Sequence, residues 1–287
     1  MLANQRAMPE VVFQETVDTT MAQNHFRARP MTPEMVSEMN LDKSMAFYKE
    51  RFADASGFRF VFVGSLDPEA IKPLAEKYLA SLPSTHKNEM WKDVGMRFPK
   101  GVIEKRVEKG VEPKSQTTIV FSGPFQFDQV HRVAIRAMSE VLERRLREKL
   151  REDLGGTYSV SVSPGYWKIP DPRYRLDIDF GSAPDRADQL GKTVLQEIQK
   201  LTETGPTDKE LADAREQLLR DFETNSKQNT YLLTQIVFKY EVGEELADVF
   251  AMQRYYNELT PAAIQTAAKT YLDFANYVRV VLVPEKK

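Results

Sequence analysis

The stretch REDLGGTYSV, residues 151–160, ends a long charged helical segment and opens an alternating strand. Arg151 stands seven residues before Tyr158, with Gly155 and Gly156 between them. Local physics gives this stretch a plain role. Either glycine can take the left-handed backbone position that closes a helix C-terminus, where a Cβ would clash. Arg151 in the last turn complements the negative end of the helix dipole, and Tyr158 begins the strand. The second possibility is that Arg151 and Tyr158 are two donors of one site.

Working outward, FDQVHRVAIRAMSEVLERRLREKL (127–150) has helical spacing of apolar residues, with Val133, Ala137, Val141 and Leu142 among its buried positions. Downstream, TYSVSVS and YRLDIDF alternate and predict half-buried antiparallel strands, the second with Tyr174, Leu176, Ile178 and Phe180 inward. VIEKRVE, TTIVFSG and the late YVRVVLVP (277–284) supply further strands. A helix is expected over 184–202. The break GPTDKEL then starts another helix, with Thr207 and Glu210 at capping-box spacing. Two or three more helices fill 208–272. The pattern predicts an α+β fold, an antiparallel sheet packed by helices.

The N-terminal part reads differently. A helix over 9–24 is followed by Thr32-Pro33, an N-cap with proline at the first helical position, and a helix through MAFYKERF. FRFVFVG (58–64) predicts a mostly buried strand. Asp67-Pro68 caps a helix whose stripe Ile71, Leu74, Ala75, Tyr78 and Leu79 should be buried and whose Pro73 should kink it. From LPSTHKNEM to about Pro99 the chain turns polar and loses periodicity, which marks a linker. The segments from Thr32 and from Thr260 share one order: Thr-Pro cap, helix with a late tyrosine, Phe-Ala, apolar strand. Such self-similarity predicts two homologous domains, the first incomplete. Residues 1–88 would be the tail of a penultimate domain and 89–287 a complete last one, making the chain a fragment of a longer protein. An unfinished sheet edge would also favour self-association or docking on neighbours.

Composition narrows the chemistry. The 287 residues are 41% hydrophobic and 29% charged with net charge −2, an ordinary globular balance that draws the protein to neither nucleic acid nor anionic membranes. There are no cysteines, which removes disulfides, thiolate zinc sites and cysteine nucleophiles. No apolar run reaches the roughly 18–20 residues of a membrane span, and MLANQRAMPEVVFQETVDTT lacks a signal peptide's apolar core. The three histidines, His25, His86 and His131, have no partner histidine one helical turn away, so H-E-x-x-H and H-x-x-E-H zinc motifs are both missing. No G-x-S-x-G elbow occurs. VGSLDPEA has one glycine where a dinucleotide loop needs several. In ERRLREKLRED, arginines and lysine alternate with Glu143, Glu148, Glu152 and Asp153, the pattern of an ion-paired helix face rather than a phosphate-binding one. Trp91, Tyr166 and Trp167 are expected in core or interface packing, with Tyr166-Trp167 also able to line a peptide cleft.

LREDLGGTYSV, followed by a strand, a helix and GPTDKELADAREQL, resembles the C-terminal half of pitrilysin/insulinase-family zinc metallopeptidases, and most closely their bacterial zinc-protease-like branch. FRFVFVGSLDPEAIKPLAEKYLASLP resembles the end of the preceding repeat in that family, and YLDFANYVRVVLVPEK its terminal strand. The resemblance runs from about Thr32 to Glu285. It implies four homologous domains in two halves and often a periplasmic location. The N-terminal half, absent here, carries the zinc on H-x-x-E-H, and the C-terminal half closes over it around a peptide. In that family an arginine and a tyrosine seven residues apart project toward the zinc, and by position they match Arg151 and Tyr158. The resemblance thus gives this chain no metal of its own, with zinc in the partner half. Its own parts would be a substrate-holding Arg151 and an oxyanion-stabilising Tyr158, inactive alone. A non-catalytic structural or assembly subunit of the same fold is the rival expectation.

Overall fold

A computed structural model describes residues 2–5, 7–154 and 159–285. In chain order its helices are α1 (Leu2–Gln5), α2 (Pro9–Met21), α3 (Pro33–Ser37), α4 (Leu41–Phe52) and α5 (Pro68–Tyr78). Strands β1 (Ile103–Glu108) and β2 (Ser115–Pro124) precede α6 (Gln129–Leu154), and β3 (Val160–Trp167) and β4 (Arg173–Ser182) follow it. The chain closes with α7 (Ala187–Thr204), α8 (Asp208–Asn225), α9 (Asn229–Val242), α10 (Met252–Asn257), α11 (Pro261–Tyr271) and β5 (Tyr277–Val283). Two compact units result, and neither is one continuous piece of chain. The first gathers residues 1–32, 93–219 and 254–287, the second 33–92 and 220–253.

The first unit is a five-stranded sheet in the order β1-β5-β2-β4-β3. The α+β expectation holds, with one correction: the sheet is mixed, because β1 pairs parallel to β5 while the other pairings are antiparallel. Strand direction follows from how far the chain travels between partners, which alternation within each strand cannot reveal. Alternation does fix the faces. Tyr174, Leu176, Ile178 and Phe180 are all at most 3% exposed, as their period of two predicts. They lie on the face covered by α6, α7 and α11, where Val133, Ala137, Val141 and Leu142 of α6 are also buried. On the opposite face, α2 places Phe13, Val17 and Met21 against Val120, Val278, Val280 and Leu282. The β3–β4 end of that second face stays polar: Ser159, Ser161 and Ser163 are exposed, and Arg175 holds Asp177 through Nε and Nη2.

Local signals read from sequence recur in the backbone. Thr207 and Glu210 form the reciprocal capping box, Glu210 N donating to Thr207 Oγ1 at 3.2 Å and Thr207 N to Glu210 Oε2 at 2.7 Å. Thr260 accepts from Ala263 N at the head of α11, and Asp67 from Glu69 N at the head of α5. Loop 93–101, the end of the expected linker, is tied down. His25 Nε2 meets Val94 O at 3.0 Å, and Arg173 donates to Met96 O.

The second unit departs from expectation. Residues 58–63 form no strand, and Phe58, Phe60 and Phe62 are 38%, 48% and 57% exposed. The α5 stripe is likewise open, with Leu74 and Tyr78 more than half exposed. Alternating apolar sequence encodes a strand only where another strand accepts its backbone hydrogen bonds, and the described residues offer 58–63 no ladder.

Candidate functional site

The site is built on the C-terminal half of α6, a 26-residue helix rich in helix-forming Leu, Glu, Arg and Lys. Its arginines have different fates. Arg144 Nη1 donates to Asp213 Oδ2 of α8 at 2.6 Å. Arg145 clamps Glu210 with Nε at 2.5 Å and Nη2 at 2.8 Å, and also donates to Gly205 O. Partial burial works against ionisation of Glu210. The Arg145 fork and the Thr207 amide outweigh it, bringing the Glu210 pKa down to about 2 from 4.5. Arg147 pairs with Glu143 one turn back. Arg151 is exposed and, among the described residues, makes no hydrogen bond or ion pair. Two arginines of the mixed-sign run thus clamp α6 to α8, and a third pairs within α6.

Of the two expected site residues, the structure places Arg151 in the last turn of α6. Tyr158 and the glycines Gly155 and Gly156 lie outside the described residues. The chain resumes at Ser159 and enters β3, the end strand of the sheet. Ser159 and Ser161 line a cavity of about 340 Å³ with Gln116, Lys114 and Asp179. Thr118 Oγ1 donates to Asp179 there at 2.5 Å, while burial pushes the carboxyl above its ordinary value. Glu143, Arg147 and Arg151 follow at i, i+4 and i+8 and so share one helix face. Glu143 on that face accepts a hydrogen bond from Val162 N of β3 at 3.1 Å. From sequence Glu143 is one member of an ion-paired helix face, and it does pair with Arg147. The four-residue spacing was visible, but a contact to a strand 19 residues away was not.

The aromatic expectations divide. Tyr166 stacks on Phe125 with ring planes 9° apart, a packing role, while Trp167 lies edge-on to Phe98 and remains 43% exposed.

Residues 38–218, more than half of the chain, match the family described as Peptidase M16 inactive domain. The chain belongs to that family. Among curated proteins, this M16 inactive-domain chain is 24% identical over 97% of its length to "Zinc protease PQQL-like" of Arabidopsis thaliana, covering 32% of that protein. It superposes on the crystal structure of the periplasmic protease PqqL from Escherichia coli with TM-score 0.84 at 20% identity, covering 99% of this chain and 31% of that one. On the crystal structure of a peptidase M16 inactive domain from Pseudomonas fluorescens the TM-score is 0.81 at 19% identity, covering 99% of this chain and 67% of that one. The chain thus spans about a third of the length of the curated relative and of the PqqL chain.

Zinc, named for the Arabidopsis relative, finds no fitting set of ligands among the described residues. His131 Nδ1 lies 2.8 Å from Asp128, which also caps the start of α6 by accepting from His131 N. The ring of His25 is bonded to backbone at both nitrogens. Among the described residues no three His, Asp or Glu side chains converge as metal ligands. Nor is any helix among them long and apolar enough to cross a membrane.

Proposed function

We propose that this chain is the C-terminal, non-zinc-binding portion of a two-half zinc metalloendopeptidase, with the metal carried by the N-terminal half. It encloses a peptide substrate, holds it through Arg151, and stabilises its reacting carbonyl through Tyr158. It hydrolyses nothing alone. The observation that carries this reading is the contrast along α6. Arg144, Arg145 and Arg147 are committed to Asp213, Glu210 and Glu143, whereas Arg151 is exposed and has no partner among the described residues. An exposed, unpaired guanidinium with a fixed fork of donors is suited to the backbone carbonyls of an extended peptide. A tyrosine hydroxyl meeting the carbonyl oxygen as it gains charge contributes most in the transition state.

By descent residues 1–88 are then assigned to the C-terminal part of the penultimate domain and 89–287 to the last domain, although the compact units cross that boundary, α2 packing on the sheet of the last. The open aromatic surface of residues 47–62 is covered by the remainder of the same protein rather than by solvent. The periplasmic location stated for the Escherichia coli protease is the proposed compartment.

The test is reconstitution. This chain is combined with the zinc-bearing half and assayed on an unfolded peptide beside Tyr158→Phe and Arg151→Ala. Loss of one oxyanion donor should lower kcat by about 10²-fold. Removal of the guanidinium should act mainly on KM. Full activity in Tyr158→Phe overturns the catalytic role. A zinc half that gains nothing from this chain would make it a structural or assembly subunit instead.

A further inference from the structure

We infer that the cavity beside Asp179 is a site for an organic cation, the ammonium or guanidinium of a basic side chain in a bound peptide, with Asp179 as its counter-charge. That the bound molecule is a peptide substrate rests on the peptidase reading above. The cation site itself rests on the geometry of the sheet.

Strand register builds the site. Thr118 of β2, Asp179 of β4 and Ser161 of β3 stand side by side in one row across three strands. Residues opposite one another in such a row point to the same face. Two residues further along β4, on that face, Gly181 stands opposite Gln116 and offers no side chain. The space here is a cavity of about 340 Å³, with Gln116, Ser161, Lys114 and Glu10 lining it as well as Asp179. Such a volume lies at the small end for ligand sites and suits one long side chain.

What Asp179 lacks is a positive partner. Thr118 Oγ1 donates to its Oδ1 at 2.5 Å, and its other oxygen takes no hydrogen bond among the described residues. Arg175, on the same face of β4, is spent on Asp177 through contacts of 2.6–2.9 Å. Lys114 in the cavity wall is held by Glu112 at 2.8 Å and lies 3.7 Å from Glu10. Burial raises the pKa of Asp179, the Thr118 hydroxyl opposes this in part, and the charge of Asp177 adds to the rise. The ionised carboxylate is therefore short of compensation. It gains most from a cation that carries its own apolar stem into the cavity, because the pair is then shielded from water. Lysine and arginine side chains have that build. The Ser161 hydroxyl and the Gln116 amide oxygen can accept their remaining N–H groups. A divalent metal ion would need several carboxylates at one point, and among the described residues no such group forms.

The experiment uses the whole protein with both halves and its zinc removed, so that peptides bind without being cut. N-acetylated, fluorescein-labelled peptides carry one lysine, arginine or norleucine, scanned along an otherwise neutral sequence, and anisotropy gives Kd. At the position that meets the cavity, lysine and arginine should bind about tenfold tighter than norleucine, which keeps the stem and lacks the charge. Asp179→Asn keeps the shape and an acceptor for Thr118, and should bring the three within about twofold. Ser161→Lys places a cation directly across from Asp179 and should have the same effect, which covers a poorly folding Asp179→Asn. If lysine and norleucine bind alike at every position, or a folded variant keeps the preference, the inference fails. A preference seen only after the acetyl group is removed assigns the site to a chain terminus and overturns the basic side chain. With zinc restored, cleavage tests the peptidase reading separately. No cleavage beside an intact tenfold preference defeats that reading and leaves the cation site standing.

Discussion

Replacing Phe13 by alanine tests the least expected feature of the fold. Helix α2 precedes residues 33–92, yet it forms one wall of the sheet's second face. Phe13 is 1% exposed and meets a surface made by Val120, Val278, Val280 and Leu282, with Val17 and Met21 beside it on the helix. Truncating a buried phenylalanine costs about 3–5 kcal/mol, the sum of lost transfer energy and the cavity left behind. Domain stabilities are about 5–15 kcal/mol, so this is a large fraction of what holds the unit folded. With a urea slope of about 3 kcal/mol per molar, the midpoint should fall by roughly 1 to 2 M. The chain has two tryptophans, Trp91 in the second unit and Trp167 in the first. Urea unfolding followed by Trp167 fluorescence in a Trp91→Phe background therefore reports the sheet unit alone. Phe52→Ala, truncating a ring 57% exposed, should leave that transition within about 0.5 kcal/mol of its parent. A Phe13→Ala midpoint indistinguishable from the parent would refute the placement of α2 in the sheet's core.

Two further outcomes concern ion pairs. The folded-state pKa of Glu210 lies below its ordinary value, so its contribution is fully present above about pH 4.5 and is lost as pH falls toward 2. Allowing for partial exposure, the contribution is about 1–2 kcal/mol. The stability gap between wild type and Glu210→Gln should therefore close between pH 5 and about 2.5, and a gap independent of pH would contradict the Arg145 clamp. Lys239, 2% exposed, holds Glu244 at 2.7 Å and approaches Asp248 at 3.7 Å. Lys239→Met should destabilise the second unit by about 2–4 kcal/mol, since it strips both carboxylates of their buried cation. Lys227→Ala, at a pair exposed on both sides, should cost under about 0.5 kcal/mol. Equal effects in Trp91-monitored unfolding would count against a buried role for Lys239.

What the sequence made legible is what neighbouring residues decide. The inward set of β4, the buried stripe of α6 and the Thr207–Glu210 box each depend on spacings of two to four residues, and each appears in the structure as read. What it hid depends on partners remote in the chain. The parallel pairing of β1 with β5 joins residues about 175 apart. FRFVFVG reads as a strand by the same alternation as YRLDIDF, but β4 has β2 and β3 on either side and 58–63 has no ladder among the described residues. Alternation states which face a residue would take, not whether a neighbour exists to make the strand.

The same limit explains why the candidate site was half visible. Arginines 144, 145, 147 and 151 are one residue type in one helix, and the run ERRLREKLRED gives no reason to single out any of them. Only long-range geometry separates them. Asp213 and Glu210 come from α8, some 65–69 residues later, and consume two of the four guanidinium groups. Glu143 consumes the third while its other oxygen reaches β3. Among the described residues three of these guanidinium groups are paired, and the last, Arg151, is exposed with no partner. The division is understandable if the paired arginines fix the helix and the unpaired one is reserved for a ligand. Arg151→Lys discriminates between these uses. A solvated cation tolerates the exchange, whereas a fork that must meet two peptide carbonyls at once does not, and KM for peptide in the reconstituted protein should rise about tenfold. An unchanged KM would return Arg151 to the role of a dipole-facing charge at a helix end.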